Sequence, residues 1–389
     1  MSDQQTPPEA AGDSGTDPTA SGGSATAPSR LHEAAVAAAM YLGCIVVALF
    51  ASALIVWATG GSWQAVFSAL LDGSLRAPGR WGETIGIAIP LVVVALGTAI
   101  NGRAGVVNIG QEGQVMMGTA FATYVGVRMG GPGPVVIVCL LIVGALAGAM
   151  WAGIASWLLY WRRVPEVLTT LLLITVASQA TGYALKVDWL LLAPFREDRS
   201  VRNQVSEQLA GDTRLPRIDI WGNDFPISSI AVVIMAVIVF LLFKRSVWGF
   251  RLRMLGRNAR TAQRAGVSTV KYGTTAMLIS GACAGLAGAL MLSGGDFGNY
   301  RFTPGFANNI GWEGLLVALV ARSHPVGVVI VAFSFAGLRA GSGFLAATGV
   351  EREISQVVLA LLVLALLVPP AILFVRERRR ALSAARDRT

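Results

Sequence analysis

The sequence predicts an all-α membrane protein of about ten transmembrane helices, arranged as two inverted-topology halves of five. Three observations carry this. Apolar residues make up 54% of the 389-residue chain and charged residues only 14%. The apolar residues gather into separate runs of about 20 residues, the length a helix needs to cross the hydrocarbon core. A six-residue string recurs at the same place in each half. One soluble core of this size needs far less apolar sequence, so the excess faces lipid. The 45 glycines and 16 prolines suit packed membrane helices.

Taken in order, residues 1–30 are Ser, Thr, Pro, Gly, Ala and Asp with almost no large apolar side chain, so they predict a disordered cytoplasmic tail. The run 34–58 is too long for a signal-peptide core and predicts a retained first span. Further spans are predicted at 84–100, 104–127, 134–160, 166–186, 227–243, 273–293, 307–321, 325–344 and 354–375. The membrane domain is thus 31–375, with an external loop at 187–226 and a cytoplasmic coupling loop at 244–272, and a basic cytoplasmic tail follows at 376–389.

The net charge of +9 lies between the spans and in the C-terminal tail, not on a soluble basic face, which points away from nucleic acid. The basic residues between the spans favour the segments that face the cytoplasm when both termini lie inside. The external loop instead holds seven acidic residues against five Arg. The positive-inside rule therefore puts both termini in the cytoplasm. Cys44, Cys139 and Cys283 fall inside apolar runs and read as packing residues rather than a disulfide or metal framework.

NIGQEG at Asn108 to Gly113 recurs as NIGWEG at Asn309 to Gly314, opening the third and eighth spans. Five spans per half is an odd number, so the halves have opposite orientation. Inverted repeats of this kind put the substrate path at their interface near the bilayer midplane. Glu112 lies nine residues beyond Arg103, about 13 Å if the segment is helical. Glu313 approaches from the other side. Carboxylates at that depth are costly and usually functional, so Asn108, Glu112, Asn309 and Glu313 are candidate path residues, with Trp312 offering an aromatic face. The competing reading is that each Glu caps or pairs with a neighbouring helix end.

Between spans six and seven, Leu252, Leu255, Ala259 and Ala262 recur at three- and four-residue spacing in a basic stretch. They predict a short amphipathic helix offering an apolar edge to a partner. Arg251, Gly256, Asn258, Ala262 and Gly266 are the candidate coupling residues. The chain has three lysines, Lys186, Lys244 and Lys271, and none sits in a P-loop, so an ATPase that drives it is a separate polypeptide. His32 and His324 have neither a nucleophile signature nor metal-ligand spacing beside them. No catalytic residue, metal site or bound cofactor is expected, and the chain reads as a transport subunit, not an enzyme.

Four stretches carry a family likeness: GRAGVVNIGQEGQ at 102–114, PEVLTTLLL at 165–173, WGFRLRMLGRNARTAQRAGV at 248–267 with SGACAGLAG at 280–288, and WEGLLVALVARSHPVG at 312–327. Together they resemble the permease subunits of ABC importers of the branched-chain amino acid and ribose type, most of all the nucleoside-type permeases, over roughly 80–370. Pro165, Ile174, Ala259 and Thr261 depart from the usual pattern. The resemblance implies a multi-pass protein of the bacterial plasma membrane that translocates nucleosides or a related small polar solute. It also implies partners: cytoplasmic ATP-binding subunits carrying the ATP, a second related permease and an extracytoplasmic solute-binding lipoprotein. Ribose-like sugars and branched-chain amino acids are alternative solutes. An ion-coupled secondary transporter is the reading from a different class, with Glu112 and Glu313 as ion sites.

Overall fold

The computed structural model describes residues 30–58, 62–194 and 204–345, with scattered helical positions between 357 and 375. The two predicted tails and most of the predicted tenth span lie outside the described residues. Helix α1, Arg30–Ala58, is followed by a short α2, Trp63–Leu71, which passes into one π-helical turn, Asp72–Arg76. Then come α3, Arg80–Arg103; α4, Gln111–Arg128; α5, Gly133–Arg162; and α6, Glu166–Ala184. A hairpin of β1, Arg217–Ile220, and β2, Asn223–Pro226, precedes α7, Ser228–Arg245. The basic segment forms α8, Val247–Arg257, and α9, Ala259–Arg264, and the chain continues through α10, Thr269–Gly294; α11, Ile310–Val320; and α12, Pro325–Leu345.

Six of these helices, α3, α5, α6, α7, α10 and α12, are long and apolar enough to cross a membrane. Helix α3 is the most buried of the six and forms the axis of the core, packing on α7, α10, α11 and α12. Helix α5 lies tightly against α10, because Gly148 meets Gly281 and Gly285 with no Cβ between the backbones. Outward faces are apolar: Val138, Ile142, Leu146 and Met150 on α5, and Val233, Ile234, Val237 and Leu241 on α7, are exposed. In water such faces would be unfavourable; against lipid they are not.

The structure departs from the sequence expectation in three places. Residues 104–110 are not helical, so the third span begins at Gln111 and the nine residues from Arg103 to Glu112 are not one helical rise. The eighth predicted span contains α11, which has 11 residues, about 16 Å, too short to cross the bilayer. The external loop holds a β-hairpin, so the described chain is mostly but not entirely helical. The hairpin is pinned by Arg217, whose guanidinium donates to Asp296 (2.9 Å) and to the Gly294 and Asp224 carbonyls. Burial raises the Asp296 carboxyl above its ordinary pKa, and the Arg217 pairing opposes this.

Candidate translocation site

The two copies of the repeated string each open a helix, and the ends of those helices meet. Gly110 is the N-cap of α4, and Asn108 folds back so that its Oδ1 accepts the Gly110 N–H at 3.1 Å. Its Nδ2 donates to Gln114 Oε1 (2.9 Å) and to Ser280 Oγ (3.0 Å) on α10. Gln114 returns a bond to Asn108 Oδ1 (3.0 Å). Gln111 donates to Thr98 Oγ1 on α3 (2.7 Å) and to Ser280 Oγ (3.1 Å). All five side chains are buried, and each is satisfied by the others. Where apolar groups surround it, such a closed network fixes one geometry, because leaving any member unpaired costs its full desolvation.

Glu112 is 5% exposed and reaches from the first string to the second. One carboxylate oxygen accepts the Asn309 N–H (2.9 Å) and the other the Gly311 N–H (2.8 Å). The first N–H groups of a helix have no internal partner and carry the positive end of its dipole. A carboxylate from α4 therefore caps α11. A Cβ on Gly311 would collide with the Glu112 backbone, so the approach needs glycine there.

The second glutamate does something else. Glu313 pairs with Arg339 on α12, Nη1 to Oε1 at 2.8 Å, with both side chains largely buried. Arg339 Nη2 donates to the Asn308 carbonyl at 3.0 Å, and the guanidinium lies over the Phe297 ring. This grips the strained start of α11, where Asn308 and Asn309 have φ of 47° and 66°. Asn308 and Asn309 are exposed, and Trp312 is 37% exposed.

The structure thus brings Glu112 to Asn309, sets Glu313 on α12 and buries Asn108 in a separate network. Sequence reasoning missed Arg339, Thr98, Gln111, Gln114 and Ser280. Arg339 carried a signal, as the one cation inside the apolar run 325–345.

A neighbouring surface is polar where lipid would be expected. Helix α6 exposes Thr175, Ser178 and Gln179 in its middle turns. Beside it, an apolar cavity of about 300 Å³ opens between α4 and α6, lined by Phe121, Tyr124 and Thr181 among others.

In the basic segment, Ser246 caps α8 by accepting the Gly249 N–H at 2.9 Å, and Asn258 caps α9 by accepting that of Thr261 at 3.1 Å. Leu252, Leu255 and Ala262 are buried against the chain's own core. Three residues of the expected apolar edge are therefore spent internally, Ala262 among them, which corrects it as a surface residue, while Ala259 is exposed. The outward face holds Arg251, Gly256, Arg257, Asn258, Arg260 and Gly266. Gly256 lies directly on the backbone of Arg103 and Gly105, the turn that leads into Asn108.

A family model described as the permease component of branched-chain amino acid transport systems matches residues 82–367. The chain belongs to that permease family. The permease is 34% identical to the guanosine ABC transporter permease protein NupP of Bacillus subtilis, over 85% of this chain and 93% of that one. It is 29% identical to the glucose ABC transporter permease protein TsgB13 of Haloferax volcanii, over 73% and 75% of the two chains. With the nucleoside ABC transporter permease protein NupB of Lactococcus lactis it shares 24% identity over 80% and 85%. No solved structure matches the permease.

Proposed function

We propose that this permease carries nucleosides, or a related small polar solute, into the cell as one membrane subunit of an ABC importer. The observation that carries the reading is the likeness to the guanosine and nucleoside permeases over most of the chain. ATP is hydrolysed on separate cytoplasmic subunits. A second, related permease and an extracytoplasmic solute-binding lipoprotein complete the assembly, and both termini of this multi-pass chain face the cytoplasm. The likeness to a glucose permease keeps a sugar as the second reading.

Ten crossings in two inverted halves of five, the eighth made by α11 together with the non-helical run before it, account for the repeated string, and they make the junction of α4 and α11 the centre of the molecule. The solute path runs past this junction. Asn309 and Trp312 line it, the exposed hydroxyls and amide of α6 extend it, and Asn108, Glu112 and Glu313 hold its walls. Polar groups at membrane depth are tolerated where they face a water-filled path or a protein partner. The exposed Arg251, Gly256, Asn258 and Gly266 form the face that receives the ATPase, while Ala262 anchors it from within. Motion of that face reaches the path through Gly256, the Arg103 turn and the polar network on Asn108, which shifts the chain between inward- and outward-facing packings.

Whole-cell uptake of labelled guanosine tests the solute. Unlabelled nucleosides are expected to compete and glucose, ribose and leucine to leave uptake unchanged. Competition by a sugar or leucine with none by nucleosides would reassign the solute.

A further inference from the structure

Asn309 is the N-cap of α11, yet its side chain makes no capping hydrogen bond. An N-cap asparagine ordinarily has extended backbone and accepts an N–H of the first turn. Here the backbone is left-handed, at φ 66° and ψ 11°, and Glu112 has already taken the Asn309 and Gly311 N–H groups from α4. The Asn309 carboxamide is therefore left over. Asn308 is in the same position: its φ is 47°, and Arg339 holds its carbonyl but not its side chain. Both residues are exposed, and neither carboxamide has a hydrogen-bond partner among the described residues. Trp312, 37% exposed, follows one turn of α11 further on.

Left-handed backbone favours asparagine, which accounts for the residue type. Glycine meets the same need without a side chain, as it does at Gly298 and Gly305 of the same connector. What the asparagines add is a pair of free carboxamides beside an indole, held at a fixed place by Glu112 and Arg339.

Charge narrows what this surface can take. Glu112 is matched by backbone N–H groups, and Glu313 and Arg339 are matched by each other. None of the three has a charge left for a solute. A zwitterionic amino acid or a nucleotide would therefore arrive with its own charges unmatched, which is costly away from bulk water. A neutral solute meets no such penalty. A carboxamide sets an acceptor beside two donors in one plane, so it can pair with a nucleobase edge through two bonds at once. The oxygen and ring N–H on the amide edge of guanine are its complement. An aromatic base also stacks on an indole face; a hexose offers hydroxyls but no aromatic ring.

We propose that Asn308, Asn309 and Trp312 form a base-reading surface, where the amide edge of a neutral nucleobase bonds the carboxamides and its ring lies against the indole. This rests on the nucleoside reading above and adds which part of the solute the permease recognises.

Photolabelling tests it, with the permease and its partner subunits reconstituted in vesicles without solute-binding protein and an azide-bearing guanosine as the probe. Label is expected on the peptide holding 308–312, with guanosine protecting it. Guanosine methylated at N1, which loses the edge N–H, should protect about tenfold less well, as the loss of a bidentate contact predicts. Guanosine monophosphate, glucose and leucine should not protect. Asn308→Gly and Asn309→Gly keep the positive φ unstrained, so the melting temperature should hold while labelling falls and the discrimination against the methylated base disappears. Trp312→Leu should lose the label. Full discrimination in both glycine variants would show that the asparagines serve the backbone alone, and label placed only elsewhere in a permease that still carries guanosine would overturn this proposal while sparing the nucleoside reading. Failure of the unaltered importer to take up any nucleoside would overturn both.

Discussion

Two glutamates in near-identical strings have opposite fates because of what stands opposite each. Glu112 meets bare backbone N–H groups at the start of α11, while Glu313 meets the Arg339 guanidinium. Glu112→Gln turns a bidentate anionic cap into a neutral group with one acceptor oxygen. One N–H then faces an NH2, and hydrogen bonds to charged groups contribute about 1.5–3 kcal/mol each. Glu112→Gln should therefore lower the melting temperature in detergent and reduce uptake per folded molecule; unchanged melting would show that the cap contributes nothing. Arg339→Met strands the Glu313 carboxylate in a largely buried position, a loss of about 3–5 kcal/mol. Adding Glu313→Gln should restore most of that stability, and a double variant no more stable than Arg339→Met would show that the pair is not coupled. The sequence revealed both glutamates by their place in the repeat. It hid their partners, since backbone N–H groups leave no mark in a sequence and Arg339 is 26 residues from Glu313.

At the scale of elements, apolar runs made most of the spans legible, because length and hydropathy decide that question. The break at 104–110 was not legible: Ala104, Val106, Val107 and Ile109 are as apolar as the helix that follows, and periodicity cannot separate a buried extended run from a buried helix. Ala104, Val106, Asn108 and Gly110 are buried in protein, where an off-helix backbone is tolerated, while Val107 is exposed. The basic segment was legible as amphipathic, but which body takes its apolar edge depends on tertiary packing. Gly256 is the position where that segment leans on the α3 turn, and a Cβ there would enter the space of the Arg103 carbonyl. Gly256→Val should leave membrane insertion intact, keep ATP hydrolysis by the partner subunits and abolish solute uptake. Normal uptake by this variant would detach the segment from coupling.

At the scale of the whole molecule, a buried α3 carries one short helix capped from the other half of the chain, and a basic face rests on the turn that leads to that cap. This arrangement suits a protein that performs no chemistry and shifts between packings under force applied from outside the membrane. An ion-coupled carrier would instead be driven from within its spans. The direct test is uptake into proteoliposomes holding this permease with its partner subunits, with labelled guanosine and solute-binding protein outside, ATP inside and all ion gradients collapsed. The account predicts guanosine accumulation that requires ATP hydrolysis and stops when the ATPase subunits are omitted. Accumulation driven by a proton or sodium gradient without ATP would contradict it.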